Sequence, residues 1–381
     1  MLLSEDHLAV QDAVRAYVQD RIAPQAAQWD KTHHFPAAEL KGLAALGCYG
    51  IAVPTDYDGA GLDYLALAVI LEEIAAGDGA TSTVVSVTNC PVNSILMAWA
   101  SEVQKQQWLR PLARGDMLGA FCLTEPHAGS QADGLKTTAT KVGGDYLING
   151  VKQFITSGKN GDVAIVMAVT DKAAGKKGIS AFIVPTNAPG YTVARLEDKM
   201  GQHASDTAQI LFENCRIPAA NLLGEEGQGL KIALSGLEGG RIGIAAQIVG
   251  MARAAFEAAL RYAKDRVAFG KPIFEHQAVH FRLGDMATQI EAARQLLHHA
   301  AALKDSGRPC LKEAAMAKLY ASEMAESVCS AAIQIHGGYG YVSDFPVERI
   351  YRDVRVCQIY EGTSDVQKIL IGRALATSTS G

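Results

Sequence analysis

Hydrophobic positions recur at two different periods along this chain, and the switches between them divide it. Up to about residue 115 the spacing is helical: Leu8, Val14, Val18 and Ile22 share one face, and Pro24 ends the run. Glu39 to Leu46 reads as a second helix closed by Gly47, and Leu65 to Ala76 as a third closed by Gly77. Between them, Val53 to Gly61 has the composition of a loop. Small and β-branched residues fill Ala80 to Val87, and the stretches Pro91 to Ala100 and Glu102 to Leu112 continue the helical character. From about 116 to 220 the period falls to two and β-branched residues rise. Lys136 to Val142 and Tyr146 to Ile155 flank Gly143-Gly144-Asp145, a hairpin signal. Val163 to Val169, Ile179 to Pro185 and Ala208 to Phe212 read as further strands.

After Gly224 to Gly229 the chain is helical again, now in long runs. Arg241 to Asp265 places Ile244, Ile248, Met251, Ala255, Ala259 and Tyr262 on one stripe, with Arg253, Glu257 and Arg261 opposite. Gln277 to Asp305, Leu311 to Ile335 and Asp365 to Leu375 complete a set of four, which predicts an antiparallel bundle. The expected fold is α+β and mainly α, in three parts. These are an N-terminal helical domain over 1–115, a small β domain over 116–225 and a C-terminal four-helix bundle over 226–381.

Composition narrows the function classes. At 49% hydrophobic and 20% charged residues the chain reads as an ordinary globular protein. A net charge of -5 without a Lys/Arg-rich run argues against binding duplex DNA or another polyanion, whose affinity comes from neutralised phosphates. The seven cysteines are scattered and form no CxxC pair, so neither a disulfide framework nor a metal site is expected, and a reducing compartment is. No uninterrupted apolar run reaches transmembrane length, so no membrane insertion is expected. The opening helix carries Glu5, Asp6 and Asp12 and resembles neither a signal nor a transit peptide. The expected location is the cytoplasm, or an organelle matrix if a presequence has been removed. No G-x-G-x-x-G follows a strand and no G-x-x-x-x-G-K-[ST] occurs, which removes the main support for Rossmann and P-loop readings.

The candidate chemistry centres on Ile359-Tyr360-Glu361-Gly362-Thr363-Ser364. Ser364 to Gln367 fits a capping box, in which Ser364 caps a helix and Gln367 reaches back. Glu361 then sits in a tight apolar loop before a helix, where burial raises a carboxyl pKa toward the range a carbon-acid base needs. The same hexapeptide is also compatible with an ordinary surface acid before a helix.

Four separated motifs decide between these. They are Phe121-Cys122-Leu123-Thr124-Glu125-Pro126-His127-Ala128-Gly129-Ser130, Phe154-Ile155-Thr156-Ser157-Gly158, Arg266-Val267-Ala268-Phe269-Gly270, and Ile359 to Ser364. In this order the chain resembles the acyl-CoA dehydrogenase family along nearly its whole length, the short- and medium-chain members most. The resemblance implies FAD as cofactor, an acyl-CoA substrate, an electron-transfer flavoprotein as partner and a homotetramer built as a dimer of dimers. It implies cofactor contacts at Phe121, Leu123, Thr124, Gly129 and Ser130, with Ser130 also within reach of pantetheine. Phe154 would cover a flavin face and Thr156 would donate near N5; many relatives have Trp at the Phe154 position. Arg266, in the motif with Phe269, would pair with the pyrophosphate across the dimer. Gln277, Gln334, Gly337, Gly338, Thr363 and Ser364 would complete the cofactor site. Glu238 and Arg241 resemble the strip that holds CoA, with Arg241 at the nucleotide end, and Tyr360 and Gly362 border the substrate. Some relatives carry their base at the position of Gly240; a glycine cannot abstract a proton, which leaves Glu361. The same scaffold also serves acyl-CoA oxidases, nitroalkane-oxidase-like enzymes and a DNA-associated flavoprotein. A helical scaffold with a decayed site is the non-catalytic alternative.

Overall fold

The computed structural model describes residues 2–378. The first part contains helices α1 (Glu5–Tyr17), α2 (Ala26–Thr32), α3 (Ala37–Ala45), α4 (Tyr64–Gly77), α5 (Gly79–Val87), α6 (Ser94–Trp99), α7 (Glu102–Gln104) and α8 (Arg110–Arg114). Ser4 starts α1 as its cap, with its hydroxyl accepting from the His7 amide at 3.3 Å. Helix α4 is apolar on nearly all sides because α1 packs on one flank and a bundle helix on the other. Glu72 and Glu73 near its end are buried but paired. Arg253 and Arg294 reach Glu72, and Arg15 and Arg253 reach Glu73. A buried carboxylate persists only with such partners.

The sheet holds β1 (Gly119–Cys122), β2 (Thr138–Val142), β3 (Asp145–Thr156), β4 (Val163–Val169), β5 (Ile179–Pro185), β6 (Tyr191–Leu196), β7 (Thr207–Pro218) and β8 (Leu222–Leu223). The order is β6-β7-β3-β2-β4-β5-β8, with β1 alongside β4. The pairs β1–β4 and β2–β4 are parallel and the rest antiparallel. Strand β4 shows the two-residue period directly. Val163, Ile165 and Met167 face a core shared with α6 and α8, while Ala164, Val166 and Ala168 face a second core with Phe182, Ile210 and Phe212.

The bundle holds α9 (Gly229–Asp265), then, past a small hairpin of β9 (Val267–Ala268) and β10 (Lys271–Pro272), α10 (Gln277–Asp305), α11 (Leu311–His336), α12 (Val347–Arg355) and α13 (Ser364–Ser378). Helix α9 begins twelve residues earlier than Arg241, because Gly236, Gly239 and Gly240 do not break it. A Cβ at Gly236 would lie 2.6 Å from Ile95, and one at Gly239 would lie 3.1 Å from the Tyr64 hydroxyl. The glycines let α9 approach its neighbours, and that packing outweighs their poor helix propensity. Helix α9 is long and apolar enough to cross a membrane, but its most apolar window is 78% buried inside the protein. The largest core runs from Val14 and Ile74 through Ile242 and Ala259 to Val328 and Cys357, so the two helical parts share one interior.

Candidate active site

The loop between α12 and α13 carries Glu361 onto a bare stretch of α9. Glu361 has φ +53° and Gly362 has φ +89°, so two successive residues lie in the left-handed region. A Cβ built on Gly240 would meet the Glu361 Oε2 at 2.8 Å. That oxygen is buried and has no hydrogen-bond partner, although other atoms of the residue keep some surface. Burial pushes the carboxyl up to about 7, against the opposing charges of Arg241 and Lys318. Neither cation forms an ion pair with it, and among the described residues no group accepts from the Glu361 amide.

The loop is held by its backbone oxygens. Gln367 Nε2 donates to the carbonyls of Glu361 (3.1 Å) and Gly362 (2.9 Å). Lys318 Nζ, from the fully buried Lys318 on α11, donates to the Gly362 carbonyl at 2.7 Å. Arg241 Nε donates to Gln367 Oε1 at 3.1 Å. These contacts revise one expectation. The cap of α13 is Thr363, whose Oγ1 accepts from the Val366 amide at 3.3 Å; Ser364 is the first helical residue and its hydroxyl is unpaired. Gln367 is consequently free of the capping box and serves the base loop. Arg241, which the resemblance places at the nucleotide end of CoA, is 4% exposed and lies beside the base. Glu238, one helical step away, pairs with Lys304 at 2.8 Å. Tyr360 receives Gln202 Nε2 at 3.4 Å, which ties the loop before β7 to the base segment.

Two of the other motifs meet at the start of the sheet. The Gln153 amide on β3 donates to the Thr124 carbonyl at 2.9 Å, bringing the Phe121–Ser130 segment beside Phe154 and Thr156. Under this junction Lys152, fully buried, donates to the Leu123 carbonyl (3.1 Å) and to Glu125 Oε1 (2.8 Å). Burial works to raise the Glu125 carboxyl, and Lys152 together with the Lys136 and Thr137 amides more than offsets it. Phe154 has φ +59° and presents its ring outward, 62% exposed. Gly129 and Ser130 are exposed at the loop's end.

The third cluster lies at the far end of α9. Arg266, Gly337 and Gly338 line a cavity of about 630 Å³ with Tyr262, His336 and Tyr339. No atom lies within 4 Å of a Cβ built on either glycine. Arg266 stands over the Tyr339 ring and has no carboxylate partner among the described residues. An unpaired guanidinium beside open glycine backbone fits a diphosphate. Phe269 sits at the tip of the β9–β10 hairpin, 96% exposed, while Gln277 opens α10 and Gln334 lies exposed near the end of α11. The span from Gly240 to Tyr262 is roughly six turns of α9, about 33 Å.

Sequence reasoning missed Lys318, Lys152 and the partnership of Gln367 with the loop. For Lys318 a signal was present. It falls on the stripe Ala314, Ala321, Ala325 and Val328, where a surface lysine does not belong.

A helical part, a sheet and a helical bundle sharing cores, with a dehydrated carboxyl in the bundle and an anion cradle at its far end, form the arrangement that the resemblance to flavin-dependent oxidoreductases of acyl thioesters implies. The comparisons settle the family. The N-terminal, middle and C-terminal domain models of the acyl-CoA dehydrogenases match residues 4–116, 120–215 and 227–376. The chain belongs to the acyl-CoA dehydrogenase family and is an FAD-dependent enzyme acting on CH–CH bonds. It is 46% identical over 376 residues to the mitochondrial short-chain specific acyl-CoA dehydrogenase of Rattus norvegicus, covering 99% of this chain and 91% of that one. The butyryl-CoA dehydrogenase of Megasphaera elsdenii superimposes with a TM-score of 0.97 at 42% identity, covering 99% of each chain. A chain from the structural study of the electron transferring flavoprotein of Acidaminococcus fermentans and flavin-based electron bifurcation has a TM-score of 0.96. It is 44% identical, over 98% of this chain and 99% of that one.

Proposed function

We propose that the protein dehydrogenates short acyl-CoA thioesters to trans-2-enoyl-CoA, with Glu361 as the base for the α proton. The observation that carries this is the carboxyl against Gly240, desolvated, unpaired and raised to about 7. A salt-bridged carboxylate, its proton affinity lowered by the cation, would be too weak a base near neutrality, and a solvated one is also weaker than burial makes it. The Glu361 amide, unclaimed among the described residues, is available to the thioester carbonyl, where a fixed donor contributes on the order of 3 kcal/mol to the transition state. FAD supplies the acceptor for the hydride that leaves the β carbon.

Short chains are favoured by the likeness to the short-chain and butyryl-CoA enzymes and by closed packing along α5. There Val84 and Val85 are inaccessible and Val87 is 8% exposed. Leu123, Thr124, Phe154 and Thr156 would hold the flavin ring, with Phe121, Gly129 and Ser130 flanking it. Arg266, Phe269, Gln277, Gln334, Gly337 and Gly338 would hold the nucleotide part of a cofactor shared with a neighbouring subunit. The roughly 33 Å of α9 between Gly240, against which Glu361 rests, and Tyr262 of the Arg266 cavity supports that sharing. Glu238, Tyr360 and Gly362 would border the substrate, and Thr363 and Ser364 the cofactor. We further infer a homotetramer, an electron-transfer flavoprotein as acceptor, and a reducing compartment, cytoplasm or organelle matrix, for seven free buried cysteines.

The test is anaerobic mixing of butyryl-CoA with the holoenzyme and with Glu361→Gln, followed by flavin absorbance. The parent bleaches, and the variant keeps its FAD and does not. Bleaching of the variant at the parent rate would remove Glu361 from the role.

A further inference from the structure

Buried lysines are costly, and Lys318 is 0% exposed. Its ammonium has one acceptor in the structure, the Gly362 carbonyl at 2.7 Å, and no carboxylate within ion-pair distance among the described residues. A pairing with Glu361 would have compensated the burial; it is not made. Helix α11 therefore keeps a charge in its core for a single backbone contact, where a methionine would pack without penalty.

The geometry of that contact is specific. The Gly362 carbonyl receives both Lys318 Nζ and Gln367 Nε2, and Gln367 also receives Arg241. The Glu361–Gly362 peptide, with both residues at positive φ, is thereby fixed from α11 and from α9 through α13. The carboxylate itself is left untouched by either cation.

Building on the assignment of Glu361 as base, we propose that Lys318 is its positioning residue. It pins the base loop through the Gly362 carbonyl and sets a positive charge beside the carboxylate without pairing to it. A paired cation would hold the base ionised and inert, and no cation would leave it protonated at neutral pH. An unpaired one nearby keeps it basic yet partly ionised.

The groups facing Glu361 are Arg241 from α9, Lys318 from α11 and the Cys90 thiol from the segment between α5 and α6. Those facing Lys318 are Cys357, Glu361 and Arg241. Burial pushes Lys318 down to about 8, with Cys357 and Glu361 raising it and Arg241 lowering it. The coupling is reciprocal: whatever Lys318 does to the proton affinity of Glu361, Glu361 does in equal measure to Lys318.

The experiment has two arms on the FAD-loaded enzyme. In the first, the pH dependence of flavin reduction by butyryl-CoA is compared for the parent, Lys318→Met and Lys318→Arg. Without the charge, the midpoint of the acid limb moves up by about one pH unit, and arginine restores it. A merely structural lysine would change the rate or FAD content and leave the midpoint in place, which would overturn the proposal. In the second, lysines carrying ¹³C at Cε are titrated by NMR, with Lys318 assigned from its loss in Lys318→Arg. Its midpoint near 8 falls in Glu361→Gln. An unmoved midpoint would overturn the proposal even if Lys318→Met does not fold. Should Glu361→Gln, run in the same flavin-reduction assay, react at the parent rate, the base assignment fails instead, and that rate tells the two apart.

Discussion

The carboxylate of Glu361 rests against Gly240, with its Oε2 only 2.8 Å from where a Cβ would stand. The contact joins a loop near the C-terminus to the first third of the bundle's longest helix, and it leaves no room for a methyl group. Gly240→Ala would push the carboxylate off its position without touching the cofactor residues. A displacement near 1 Å costs on the order of 100-fold in rate. The expected outcome is full FAD content with flavin reduction slowed to that extent in stopped-flow.

Lys152 and Glu125 form a buried pair under the Phe121–Ser130 segment. Lys152→Met leaves the carboxylate with the Lys136 and Thr137 amides and the His127 ring at 3.4 Å. Breaking one side of such a pair costs about 3–5 kcal/mol. Because Lys152 also holds the Leu123 carbonyl, the loss extends to the expected flavin site. Urea denaturation with FAD content measured in parallel checks both effects.

Asp353 has its own pH signature. It is 2% exposed and accepts from the Gln202 amide, with Arg349 at 3.6 Å. Burial pushes it up to about 7, with Asp78 and Asp30 adding to the rise and Arg349 countering it. A carboxyl raised on folding contributes stability that is complete below its unfolded value and lost as pH rises through about 7. The loss is on the order of 3 kcal/mol between pH 4 and 8. Asp353→Asn should flatten that slope, leaving the parts due to Glu361 and the other shifted groups, in denaturant midpoints taken across the range.

The strands that were legible residue for residue, Val163–Val169 and Ile179–Pro185, are buried on both faces, so their apolar runs have no competing explanation. Strand β7 continues to Pro218 past the expected Phe212. Glu213 and Asn214 break the alternation there, and Asn214 takes φ +48° at a register shift against β3. Strand β6 is mostly exposed and gave no apolar signal. Helix α12 was missed between glycines and the site motif. In the site, the apolar neighbours of Glu361 left it open between a buried and a surface acid, and the four motifs together favoured the former. Lys152 could not be read, since a buried charge has the same letter as a surface one and only tertiary packing distinguishes them; Lys318 carried a signal in the apolar stripe of α11, and Arg241 came only with the resemblance.

The length of α9 has a genetic reading. If each catalytic centre draws Glu361 from one subunit and Arg266 from another, lesions at the two positions lie on different halves of the same centre. Mixing Glu361→Gln chains with Arg266→Ala chains would then yield hybrids in which one centre carries both lesions and its twin carries neither. Activity would return from two inactive parents, toward half the normal value per hybrid dimer, as assayed after co-expression with separable tags. Chains that each housed a whole centre would show no such recovery.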